Sequence, residues 1–186
     1  MKIERWPTVY DFHELQKQIS EIARSHYSKG FYTLFEKPEL CQGDIVYIEK
    51  KFLYIDKDGN YAAEEYTNYW IIVGNTCDIA RSIEDIAFTN IIPILKFDED
   101  VPSRILSGIK NFQNYKSMYI PNFNEDSNNY YVDFTKIMTI SKEYLLKDVN
   151  AIKKKELTYA SWILFHSCLL RYLVRDDGRN DQSNAT

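Results

Sequence analysis

Apolar positions recur along this chain with two different periods, and the change from one to the other marks out its elements. Behind Asp11, the side chains Phe12, Leu15, Ile19, Ile22 and Ala23 follow a three- and four-residue spacing. Gly30 stands where a helix would end, so the first element reads as an amphipathic helix. From Gly43 the period shortens. The runs 44–49 and 52–55 are β-branched and aromatic, are closed by the turn string Asp56-Lys57-Asp58-Gly59-Asn60, and predict the first two strands. Tyr69-Trp70-Ile71-Ile72-Val73 is apolar throughout and stops at Gly74-Asn75, the pattern of a strand covered on both faces. Residues 90–95 form a second such run. There Pro93 lacks the N–H that a ladder requires, which predicts an edge position or a bulge.

Between these strands Ile79, Ala80, Ile83 and Ile86 predict a short helical turn over 77–86. After them Pro102 opens a segment whose Ile105, Leu106, Ile109 and Phe112 mark one face of an inserted helix. The strands 119–121 and 130–134 flank an Asn-, Asp- and Ser-rich stretch, 122–129, read as a long hairpin connection or a flexible flap. Residues 136–140 are expected to be the last strand, with Ser141 capping a short helix, and a long helix is expected over 155–175. The tail 176–186 is polar and aperiodic and is expected to be disordered. Short strands with small helices at their ends indicate an α+β domain over 1–175. Its core is a small, partly closed antiparallel β-barrel, carrying an N-terminal, an inserted and a C-terminal helix.

Composition narrows the function classes. The 186 residues carry 23 Lys+Arg against 27 Asp+Glu, a net charge of −4, which argues against a general nucleic-acid coat but leaves room for one local site. With 15 Tyr and 10 Phe against 6 Gly and 5 Pro, the chain is neither collagen-like nor linker-dominated. Cys41, Cys77 and Cys168 are widely spaced, with no CxxC pair, so neither a disulfide framework nor a metal site is expected; no cofactor motif is present either. The N-terminus has no apolar segment of signal-peptide length, and a cytoplasmic location is expected. The apolar stretch 159–174 is too short to cross a bilayer and is interrupted by Ser161, His166, Ser167 and Arg171, so it reads as a buried helix rather than a membrane anchor.

The order of the pieces carries a resemblance. Gly43-Asp44-Ile45-Val46, then Trp70-Ile71-Ile72-Val73-Gly74-Asn75, then Ile91-Ile92-Pro93-Ile94, then the run from Val132 to Ser141 resembles the MazF/PemK-like family. In that family a "GD" opens the first strand, and "vVvSn", "vaPit" and "D-i-r-t-i" strands follow. The resemblance spans about residues 43–146 and implies an SH3-like barrel acting as a ribonuclease toxin of a toxin-antitoxin pair. It also implies where the chemistry should lie. The family's catalytic Arg position falls here at Asn68 or Tyr69, and its catalytic Ser or Thr position at Leu95. Neither Asn68 nor Leu95 can stabilise charge on a phosphate in flight as an Arg and a hydroxyl do, so the usual ribonuclease chemistry is not expected even on a shared fold.

Other residues are candidates in their own right. Gly74-Asn75-Thr76-Cys77-Asp78 ends an apolar strand and opens a helical turn, where free N–H groups could be capped by Thr76 or Asp78 and a thiol presented to substrate, with Arg81 one turn on. Cys77, Asp78 and Arg81 are therefore candidate catalytic residues, and Asn75, Thr76, Tyr69 and Tyr130 candidate binding residues. The same residues have a structural reading, a cap beside a small buried cysteine. His166 reads as a core histidine, and a Cys77–His166 pair would need the fold to bring them together. His13 and His26 belong to the first helix. The runs Lys50-Lys51 and Lys153-Lys154-Lys155 offer phosphate contacts, and Tyr47, Tyr54, Tyr66, Tyr69, Tyr130 and Tyr131 offer stacking faces for single-stranded bases; equally, lysines solvate element ends and tyrosines fill barrel walls.

Three functional expectations follow. The first is a toxin-antitoxin or defence component that binds RNA or a protein partner such as an antitoxin, with endoribonuclease activity left open and resting on Asp78 and Arg81. The second is a non-catalytic interaction module that homodimerises through the 159–174 helix. The third is a cysteine-dependent enzyme centred on Cys77.

Overall fold

The computed structural model describes residues 17, 19–21, 30–33, 39–49, 52–64, 67–124, 126, 128–147 and 152–173. Of the expected N-terminal helix, 17 and 19–21 are helical and Ile19 is fully buried; the remainder, with His13 and His26, lies outside the described residues, as do Lys50, Lys51, Tyr66 and the tail.

The fold is α+β, built on an antiparallel half-barrel sheet. Its strands are β1 (Tyr32–Thr33), β2 (Ile45–Tyr47), β5 (Tyr69–Ile72), β6 (Phe88–Lys96), β7 (Ser117–Ile120), β8 (Tyr130–Asp133), β9 (Met138–Ser141) and β10 (Ile152–Leu157). They lie in the order β1-β10-β2-β5-β6-β8-β7, with β9 beside the first half of β6. β3 (Phe52–Ile55) and β4 (Tyr61–Glu64) pair only with each other, as a ribbon around the 56–60 turn, and not as part of the main sheet. In that turn Asp56 Oδ1 accepts the Asp58 and Asn60 N–H groups, and Gly59 takes a φ of 82°.

β5 is buried from both sides, as its unbroken apolar run predicts. Ile71 belongs to the core on the concave face with Ile45, Ile92 and Ile94, whereas Trp70 and Ile72 belong to the convex core with Val46, Ile48 and Ile91. The convex core is covered by two short helices, α1 (Thr76–Ala80) through Ile79 and α3 (Lys142–Leu145) through Leu145. Ser141 caps α3 as expected, accepting the Tyr144 N–H. The concave core is covered by α4 (Tyr159–Leu173), through Leu164, Phe165, Cys168 and Leu169, so the sheet itself supplies the cover this apolar helix requires. None of the described helices is long and apolar enough to cross a membrane.

The inserted helix is α2 (Ser103–Lys110), and its end shows why Phe112 kept the apolar spacing. Phe112 lies one residue past the cap with φ 57°, donating to Ile109 O, while Gln113 N reaches back to Gly108 O. These two bonds form a Schellman turn, a position where glycine is usual. Phe112 occupies it because its ring is buried in the concave core and its carbonyl accepts 2.6 Å from the buried Arg171 guanidinium.

Two expectations are corrected. Pro93 sits on neither an edge nor a bulge: β6 is central, and Pro93 pairs with Trp70. Val73 N donates to Asn90 O, so by alternation the Pro93 nitrogen faces away from β5. On that side β6 changes partner, from β9 at Ile91↔Met138 to β8 at Ile94↔Val132, and the missing N–H falls in the gap. The second correction concerns 152–157, where the long helix was expected to begin and where 136–140 was expected to be the last strand. These residues are β10, wedged between β1 and β2 with a register irregularity at Lys153/Lys155, and the helix starts only at Tyr159.

Candidate functional site

The 74–81 segment expected to carry chemistry is a surface feature. Asn75 is the N-cap of α1 but makes no side-chain capping bond, and neither Thr76 nor Asp78 caps it. The Thr76 hydroxyl instead accepts the Gln42 N–H at 3.0 Å and so ties the loop before β2 to the end of β5. Cys77 is exposed. Asp78 and Arg81 lie 3.6 Å apart as a solvent-exposed ion pair, partnered with each other rather than turned on a common cleft. Below them is a residue the sequence reading missed. Lys142 is fully buried, and its Nζ donates to Asp78 O at 2.7 Å and to Arg81 O at 2.8 Å, satisfying the carbonyl end of α1.

Cys77 and His166 do not form a pair. His166 Nδ1 donates to Trp162 O at 2.8 Å, its ring packs 4.1 Å from the Trp162 ring, and its Nε2 is buried with no hydrogen-bond partner among the described residues. Cys168 is buried in the concave core, and burial pushes its thiol up to about 12. Among the described residues no group of His, Cys, Asp or Glu could hold a metal ion.

The most strongly organised charged cluster is at the Gly43-Asp44 pair. Gly43 adopts φ 89°, and a Cβ there would stand 2.9 Å from the Trp162 ring, so both backbone and packing demand glycine. Asp44 is buried. Its Oδ2 accepts the Cys41 N–H at 2.7 Å and Lys153 Nζ at 2.8 Å, and Lys153 also reaches Glu156 at 3.2 Å. Burial raises the Asp44 carboxyl above the usual carboxylate range despite Lys153; burial lowers Lys153, but its bonds to Asp44 and Glu156 outweigh this and raise it. Burial and the neighbouring Asp44 charge likewise raise the Cys41 thiol. The pair fastens β10 to β2, and with it sets the next lysines.

Those lysines border an aromatic strip at one end of the concave face. Tyr47 and Tyr69, opposite each other on β2 and β5, meet edge to face at 5.4 Å; Tyr69 meets Phe123 at 4.9 Å, and Phe123 meets Tyr130 at 5.1 Å. Lys154 Nζ stands 5.5 Å over the Tyr47 ring, and Lys155 Nζ stands 4.5 Å over Tyr32 and donates to Phe123 O. Tyr47 and Tyr69 are half-buried and Lys154 is exposed, so this end of the strip is accessible. Tyr130 is its floor: the ring is buried, and the hydroxyl donates to Asp126 at 2.7 Å and accepts from Asn124 at 3.0 Å. Burial and the Asp126 bond raise the Tyr130 phenol, while the Tyr130 and Asn128 bonds lower Asp126. With Phe123 plugged into the core, the described part of the 122–129 connection is anchored, the hairpin reading rather than the flap. Of the positions the resemblance assigns to catalysis, Tyr69 lies in this strip, and Leu95 is buried opposite Tyr131.

Set against known proteins, the chain matches no protein-family model and no curated protein sequence.

Proposed function

We propose that this protein is a MazF/PemK-like barrel that binds single-stranded RNA without cutting it, as a toxin-antitoxin or defence component. The observation that carries the reading is the Tyr47–Tyr69 pair with Lys154 over it. Half-buried tyrosine rings beside an exposed ammonium group suit stacked bases and their phosphates, and Asn68 or Tyr69 stands where the resemblance puts the family's catalytic Arg. An amide or a phenol at the Arg position and the buried Leu95 at the hydroxyl position supply no positive charge for a phosphate in flight. The exposed Asp78–Arg81 pair sits on α1 and its C-cap, on the convex face, whereas the strip lies on the concave one, so it does not replace them.

Fluorescence polarisation with a short unstructured RNA, run beside a gel of the same RNA, tests both halves. Binding that weakens with salt, an intact RNA, and a loss of about 5- to 150-fold in Tyr47→Ala, from about 1–3 kcal/mol per stacked base, are expected. Absence of salt-sensitive binding, or a Tyr47→Ala variant that binds as the parent does, overturns the binding reading; cleavage by the purified protein overturns the non-hydrolytic one.

A further inference from the structure

A cavity of about 350 Å³ opens on the opposite side of the β7–β8 hairpin from the concave core, under α2. Its floor is apolar and aromatic: Ile109 is buried, and the Phe97 and Tyr131 rings lie 4.3 Å apart at 35°. At its mouth Ile105 is 51% exposed, an apolar side chain left in water beside a hole that an apolar group could fill.

Two carboxylates are among the polar groups that line this cavity, with Asn114, Lys116, Ser117 and Thr135. Asp98 and Asp133 both line it, and neither forms an ion pair among the described residues. Asp133 Oδ1 is engaged by the Thr135 N–H at 3.0 Å and the Thr135 hydroxyl at 2.6 Å. Directly across the hairpin, Ser117 pairs with Asp133 and lines the same cavity; it is only 6% exposed, and its hydroxyl makes no hydrogen bond among the described residues. The hydroxyl is thus reached from the cavity, and its hydrogen-bonding capacity is open to a group that enters. Lys116, the cation in the lining, places its Nζ 5.8 Å from the ring of Tyr115, which is not part of the cavity. Two carboxylates outside any ion pair, a hydroxyl open to the cavity and an aromatic floor together match a cation whose N–H groups need acceptors and whose stem needs apolar cover.

We propose that this cavity binds an organic cation, a primary ammonium on an apolar stem, with the ammonium bonded to Asp98, Asp133 and the Ser117 hydroxyl and the stem laid between Ile105 and the Phe97–Tyr131 rings. The site is separate from the aromatic strip on the concave face and does not depend on it.

The test is a titration followed by amide NMR shifts in the full chain, with pentylammonium as probe and pentanol as its neutral counterpart. Saturable shifts confined to residues around Asp98, Ser117 and Asp133, with a dissociation constant on the order of millimolar, are expected for pentylammonium and not for pentanol. Asp98→Asn and Asp133→Asn should each weaken binding about 10-fold. The amide in Asp133→Asn keeps an oxygen for the Thr135 N–H, so the turn survives, and an unchanged spectrum elsewhere confirms it. A capped Gly-Lys-Gly peptide run in parallel distinguishes sources: binding of the peptide identifies a protein lysine as the occupant, and binding of pentylammonium alone identifies a free amine. Equal shifts with pentanol, no saturable shifts, or undiminished binding in both Asn variants overturn the proposal.

Discussion

Lys153 Nζ lies 2.8 Å from Asp44 Oδ2, with 7% of one side chain and 1% of the other exposed, so an ion pair is buried where β10 meets β2. Removing one partner leaves a charge in a site largely shielded from solvent. Lys153→Met is expected to cost about 3–5 kcal/mol in urea unfolding, while Asp44→Asn combined with Lys153→Met should recover much of that loss. Additive costs in the double variant would show that the two side chains do not act as a pair.

Lys142 is another buried cation, and its role is local. Lys142→Met strips the Asp78 and Arg81 carbonyls of their donor and should cost about 1–3 kcal/mol. Hydrogen exchange should quicken across 76–81 first, since α1 has only five residues and little else to hold its end. Uniform acceleration over the whole sheet would assign Lys142 a global role instead.

His166 links stability to pH. Burial holds its imidazole below the ordinary value, the bond to Trp162 O only partly opposing this, and a protonated Nε2 would be a buried donor with no acceptor among the described residues. The unfolded chain therefore binds the proton more readily, and stability is fully present above pH of about 6.5 and is lost as pH falls toward the folded-state value. Urea midpoints at neutral and mildly acidic pH should separate more in the parent than in His166→Phe, which keeps the ring contact with Trp162. Equal separations would remove His166 as the cause.

The RNA reading predicts a salt signature. If Lys154 contacts a phosphate, Lys154→Ala lowers the slope of log affinity against log salt by about 0.7 while leaving stability within about 0.5 kcal/mol, because the side chain is exposed. An unchanged slope would place the phosphates elsewhere.

Thiol chemistry sorts the cysteines. Cys77, exposed, should react with a thiol reagent in the native protein, whereas Cys168, raised to about 12 by burial, should react only on unfolding. Rapid native-state labelling of Cys168 would mean that α4 opens.

Much of the fold was legible because it was written in local pattern. The unbroken run at Tyr69–Ile72 predicted a strand with two covered faces, and Ser141 predicted a cap. What misled was pairing. Pro93 reads as an edge residue until β6 is seen to change partners beside it, and 152–157, with three consecutive lysines, has no strand period at all. Tertiary pairing and the Asp44–Lys153 bond make it a strand against its local pattern.

The candidate site was less legible. Tyr69 and Tyr130 were named from sequence as binding residues, and Tyr47 and the 153–155 lysines as possible contributors to stacking and charge. That Tyr130 forms the floor, that Phe123 joins the strip, and that Lys153 is consumed by Asp44 while Lys154 stays free to face solvent are set by distances across strands far apart in sequence.

By itself the sequence determined the strands with apolar runs, the α+β class and the tyrosine-rich character of the chain, because hydrophobic period and turn chemistry act over a few neighbouring residues. Only the tertiary structure decided which charges are buried and paired, which cysteine is exposed, and which aromatic rings meet. Burial and pairing depend on what packs from elsewhere in the chain, and desolvation, not residue type, sets whether a Lys or an Asp fastens strands or faces solvent.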